Sequence, residues 1–162
     1  MKRIQTNAEL IGTLKTLPLE HQHCLAKRFI ASVIHLTSNP RLLRLVELLD
    51  KPECSEEDAR TAHAIAQSVY VETGPGSDIA ELKFDCQATH FIAQAVLACS
   101  AAYGKTPPPL LAYKVANYCR MAQTCAGMSK GEEAPDFTEA ETEYNRIVGE
   151  QIDILNDYLG AE

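Results

Sequence analysis

A chain of 162 residues, 46% hydrophobic and 23% charged, is about one domain's worth and has the balance of a folded globular protein rather than a disordered one. Its net charge of −7 argues against nucleic acid as the main partner. The excess is concentrated at one end, where residues 131–162 hold ten acidic side chains against Arg146 alone.

No apolar run follows Met1-Lys2-Arg3-Ile4-Gln5-Thr6-Asn7 that could act as a signal peptide. The stretch Cys86 to Gly104 lacks Asp, Glu, Lys and Arg, but Gln87, Thr89, His90, Gln94 and Ser100 interrupt it, so a buried helix is expected rather than a membrane span. These features predict a soluble, cytoplasmic, single domain over 1–162. Six cysteines without a C-x-x-C pair then read as reduced, small, buried apolar residues rather than a disulfide framework.

Helix starts are marked along the chain. Thr6 with Glu9, Ser55 with Asp58, Asp78 with Glu81 and Thr138 with Glu141 each place an acceptor at an N-cap and a carboxylate three residues on. Asn39-Pro40 and Thr106-Pro107 put a capping residue before a first-turn proline. Stops are expected at Pro18, Asn39-Pro40, Pro52, Thr73-Gly74-Pro75-Gly76, Gly104, Gly127 and Gly160. The expected helices cover 7–16, 19–37, 41–50, 56–72, 78–103, 107–126 and 139–159, with no run alternating as a strand would. The last carries Tyr144, Ile147, Val148, Gln151, Leu155, Tyr158 and Leu159 on one stripe. The fold class is therefore all-α, a bundle or short stack of about seven antiparallel helices, with the loop from Met128 to Phe137 expected to be mobile.

Three segments repeat a helix face. Ala62-His63-Ala64-Ile65-Ala66-Gln67-Ser68-Val69 aligns with Thr89-His90-Phe91-Ile92-Ala93-Gln94-Ala95-Val96 and with Tyr118-Cys119-Arg120-Met121-Ala122-Gln123-Thr124-Cys125. At about 100° per residue His63 and His90 fall on apolar faces, with Gln67 and Gln94 one turn on. Helices four and five packed antiparallel would bring both imidazoles inward at one height, with Cys119 in the equivalent place on helix six. Packed neutral histidines are the plain reading of the same pattern.

No catalytic set is apparent. His21, His23 and Cys24, the pair Cys86 and His90, and the trio His63, His90 and Cys119 are the metal-like groupings, but no carboxylate joins them and no metal or cofactor is expected. A thiol on an apolar face, such as Cys119, is expected to be inert. Tyr70, Tyr103, Tyr113 and Tyr118 read as core-edge residues or the rim of a groove.

The runs Ala62-His63-Ala64-Ile65-Ala66, Ala88-Thr89-His90, Ala93-Gln94-Ala95 and Ala112-Tyr113-Lys114-Val115-Ala116 resemble the Ala- and His-rich helices of the all-helical immunity proteins of bacterial polymorphic-toxin systems. Gln67 stands where that family often has arginine. The resemblance implies a small antidote that masks a toxin without catalysis, and an acidic surface would suit a basic nuclease.

The sequence thus favours a protein-interaction module over an enzyme. Its C-terminal helix, through Glu139, Glu143, Glu150 and Asp153, is expected to meet a basic protein partner. The alternative is a small-molecule or metal-binding protein, conceivably an enzyme, with a pocket of His63, Gln67, His90 and Gln94. A homo-oligomer packed through Ala-rich faces is the third reading.

Overall fold

Capping chemistry sets the first helix. The Thr6 hydroxyl accepts from the Glu9 N–H (3.2 Å) and the Glu9 carboxylate accepts from the Thr6 N–H (3.1 Å), closing a reciprocal box at the head of α1, Asn7–Thr16. The structure, a computed structural model, describes residues 3–49, 55–74, 84–101 and 110–160, the side chain of residue 85 excepted. Helix α2 follows as Leu19–Val33 and passes into a 3₁₀ turn, Ile34–Leu36. Then come α3 (Pro40–Leu49), α4 (Glu56–Glu72), α5 (Phe84–Ala101), α6 (Leu111–Met128) and α7 (Phe137–Gly160). The described residues contain no strand, so the all-α expectation holds.

Local chemistry explains most of these boundaries. Ser55 and Asp58 form a second capping box at α4, at 3.0 and 3.2 Å. Asn39 accepts from the Arg41 N–H at 3.0 Å, with Pro40 in the first turn of α3, as expected. Three expectations change. Helix α7 begins two residues early because Asp136, not Thr138, accepts from the Glu139 N–H at 2.9 Å. Helix α2 ends at Val33 rather than at 37, since Thr37 turns inward to bond the Thr89 hydroxyl of α5 at 2.9 Å. Gly127 is no stop: α6 runs through it, and a Cβ there would lie 2.8 Å from the Ala140 Cα of α7. Its missing side chain lets α6 and α7 touch. The expected cap at Asp78, the start at Thr106-Pro107 and the stops at Pro52, Pro75-Gly76 and Gly104 lie outside the described residues, as do Cys54 and Tyr103.

Within the segment Met128 to Phe137, residues 128, 130 and 136 bond across the turn and to α7. The Asp136 N–H bonds the Met128 carbonyl at 3.3 Å, and Lys130 reaches Glu139 and Glu143 on α7. Gly131 sits in a turn where a Cβ would fall 1.9 Å from the Ala134 carbonyl oxygen.

The helices α4, α5, α6 and α7 are successive antiparallel neighbours. Side-chain pairs fix the directions: His63 with Ser100 and Thr73 with His90 across α4–α5, Cys125 with Gln87 across α5–α6, and Gln123 with Glu143 and Arg120 with Gln151 across α6–α7. Helix α2 lies against α5, α6 and α7, α3 packs on α4, and α1 contacts α6 and α7. One apolar cluster draws on all seven helices, including Leu10, Phe29, Leu45, Ala66, Ile92 and Ile147. Helix α6 is enclosed on most sides, whereas α4 keeps a broad exposed face. That difference decides what becomes of the repeated motif.

Candidate functional site

The repeat is real in its small residues and divergent in its polar ones. Ala66, Ala93 and Ala122 are all fully buried, as are Val69 and Val96, where close approach needs short side chains. The histidine position, in contrast, goes from exposed at His63 to half-buried at His90 and buried at Cys119. Gln67 is likewise exposed, Gln94 half-buried and Gln123 buried. Equal places on three helix wheels thus meet three environments, because α4 lies at the edge of the layer and α6 in its middle.

The expected imidazole pair does not form. His63 Nδ1 meets the Ser100 hydroxyl at 3.1 Å, near the end of α5. His90 Nδ1 meets the Tyr70 carbonyl and the Thr73 hydroxyl, both at 3.2 Å, at the end of α4. His63 therefore stands level with Ser100, ten residues or about 15 Å along α5 from His90. His90 stacks on the Tyr70 ring (centroids 4.3 Å apart, 25° between planes), and burial lowers its pKa. Since Thr73 gives its own proton to the Val69 carbonyl at 2.8 Å, His90 Nδ1 is the donor to both oxygens and closes the end of α4. His63, Gln67, His90 and Gln94 do not share one pocket.

Cysteine and metal chemistry find no assembled site. Cys119 is buried, and desolvation followed by the nearby Cys99 pushes its thiol pKa up, which suits an unreactive side chain. Cys125 is raised by burial too. Cys24 and Cys86 are exposed, against the expectation that the thiols are interior, and the five described cysteines form no disulfide. His21 bonds the Tyr158 hydroxyl at 2.8 Å. No group of three or more His, Cys, Asp and Glu among the described residues could hold a metal ion, and no described helix is long and apolar enough to cross a membrane.

The acidic helix is less open than its composition suggests. Glu143 is nearly buried and receives Lys130 (2.8 Å), Arg146 (2.8 Å) and the Gln123 amide (2.6 Å). The Lys130 ammonium holds its carboxyl down to about 2, helped by Arg146. Glu139 pairs with Lys130, Glu150 with Arg146, and Asp153 with Arg3 at 3.7 Å. The four acids expected to face a partner are thus engaged within the chain, since Lys130, Arg146 and Arg3 fold back on α7. Glu132, Glu133, Glu141 and Asp157 are exposed and make no ion pair among the described residues.

Composition also hid a polar seam between α6 and α7. Arg120, only 4% exposed, donates from Nε to Gln151 Oε1 (2.7 Å) and from Nη2 to Asn7 Oδ1 of α1 (2.9 Å). Gln151, fully buried, donates onward to the Ala116 carbonyl at 3.0 Å. In sequence Arg120 looks like surface, because its neighbours Cys119, Met121 and Ala122 fit either face of a helix. The signal available was Gln151, a polar residue in the middle of α7's apolar stripe.

Two aromatics stand out at the head of α7. Phe137 is 69% exposed and Tyr144 38% exposed, with Glu141 between them on the same stripe at i, i+4 and i+7. Tyr144 also covers the Arg120 guanidinium, 5.9 Å from its ring centroid. No family model matches the chain, and neither a curated protein nor a solved structure matches it.

Proposed function

We propose that the protein is an interaction module whose head of α7 binds a basic protein partner, in the manner of an immunity-type inhibitor that masks a basic toxin. The observation that carries this reading is Phe137, the most exposed large hydrophobic residue described, with the unpaired carboxylate of Glu141 one turn on along α7 and those of Glu132 and Glu133 in the segment that precedes the helix. A large exposed aromatic is a common anchor of a binding surface, and unpaired carboxylates steer a cationic partner. The engaged acids Glu139, Glu143, Glu150 and Asp153 then serve to hold α7 in place rather than to touch the partner. The pocket reading finds no such support, since its two histidines stand apart.

The test is affinity capture from the host lysate at low and high salt, with Phe137→Ser and a triple Glu132→Gln, Glu133→Gln, Glu141→Gln variant beside the wild type. One protein should be retained at low salt and released by high salt. Phe137→Ser should weaken its binding by about 30-fold, or roughly 2 kcal/mol. A partner held equally by both variants, or no partner at low salt, would remove the proposal.

A further inference from the structure

The guanidinium of Arg120 is enclosed but lacks a counter-charge. Its hydrogen-bond acceptors are the neutral amides of Gln151 and Asn7, and the third neighbour is the Tyr144 ring. No carboxylate reaches it among the described residues, although the chain is strongly acidic. Glu143, which also lies on the seam, is committed to Lys130, Arg146 and Gln123. A buried cation with only neutral partners is costly, and an oxyanion that reached it would relieve that cost.

One corner of the group remains open. Nη1 has no acceptor among the described residues, yet it is not one of the side-chain atoms sealed from solvent. The residues beside the guanidinium that themselves reach the surface are Asn7, half-buried, and Tyr144, 38% exposed. The inner side of the group is held by Gln151, itself bonded to the Ala116 carbonyl, and its outer side is bordered by Asn7 and the Tyr144 ring.

We propose that the outward edge of Arg120, between Asn7 and Tyr144, is a seat for an oxyanion, a carboxylate or phosphoryl group held through Nη1 and Nη2. Guanidinium presents paired donors in one plane, which matches the paired oxygens of both ligand types. The occupant is small, because the neighbouring side chains leave only the edge of the group accessible. This site is separate from the binding of a basic partner and stands or falls without it.

Acetate and inorganic phosphate titrated into the full chain at constant ionic strength, with chloride as the balancing salt, provide the test. The readout is the Arg120 Nε–H resonance of the wild type, with the thermal midpoint in parallel. A saturable shift of that resonance and a raised midpoint are expected, with affinity about tenfold weaker in Arg120→Lys and lost in Arg120→Met. A response to phosphate assigns a phosphoryl ligand. A response to acetate and to glycylglycine, but not to its C-terminal amide, assigns a carboxylate. The absence of a saturable shift in the wild type, or an equal midpoint rise in Arg120→Met, overturns the proposal.

Discussion

Glu143 shows how one side chain can decide the state of a whole helix end. Its pKa is held near 2 while an unfolded carboxyl titrates near 4.5, so the native state binds fewer protons across that interval. Its contribution is complete above about pH 4.5 and is lost as pH falls toward 2. Acid unfolding followed by circular dichroism should therefore be steep in that range, and Glu143→Gln should flatten it. His90 acts in a higher window. Burial lowers its pKa from 6.5, so its contribution is present above pH 6.5 and declines as pH falls below that value. Replacing it with Asn should remove the slope below pH 6.5 in a series of thermal midpoints. Arg120 and Gln151 predict an asymmetry. Gln151→Leu leaves the buried Arg120 Nε–H without its acceptor, at a cost of about 2–4 kcal/mol in urea unfolding. Arg120→Met removes the buried charge but leaves the Gln151 Oε1 without its donor, and should cost less, about 1–2 kcal/mol.

Helices here are set at their ends by chemistry a reader of the sequence can see, and in the middle by contacts that cannot be seen there. The Ser55–Asp58 box belongs to the first kind, and Ser55→Ala should cost α4 about 1 kcal/mol. Gly127 belongs to the second. In isolation it reads as a helix terminator, but its role is the backbone approach of α6 to Ala140. Gly127→Ala should raise intrinsic helix propensity yet destabilise the protein by about 1–3 kcal/mol, because backbone atoms rather than a flexible side chain must give way. A chevron or urea series that shows Gly127→Ala to be stabilising would mean that α7 can slide outward freely. The 3₁₀ turn at Ile34–Leu36 has a related origin: Thr37 is drawn to Thr89 on a helix that lies far ahead in the chain.

Across the molecule, the charge asymmetry survives folding but changes meaning. The excess of acid in the last 32 residues suggested a uniformly negative helix. Lys130, Arg146 and Arg3 instead neutralise one edge of α7, which leaves the unpaired charge beside Phe137 at its head and at Asp157 near its end. Bulk net charge should govern solubility, while partner binding should follow the local cluster at 132, 133 and 141. Changing Asp157→Asn should leave the salt dependence of capture unaltered.

The seven helices among the described residues, the capping boxes at Thr6 and Ser55 and the Asn39-Pro40 start were legible along the chain, because each depends on residues within one or two helical turns. The sequence also marked Ala66, Ala93 and Ala122 as a shared packing face. Tertiary packing was needed to set His63 and His90 ten residues apart in height, to match four of the acids and to put Arg120 inside. Those outcomes depend on the register of one helix against the next, and periodicity fixes a side chain's angle around its own helix but not its level beside a neighbour.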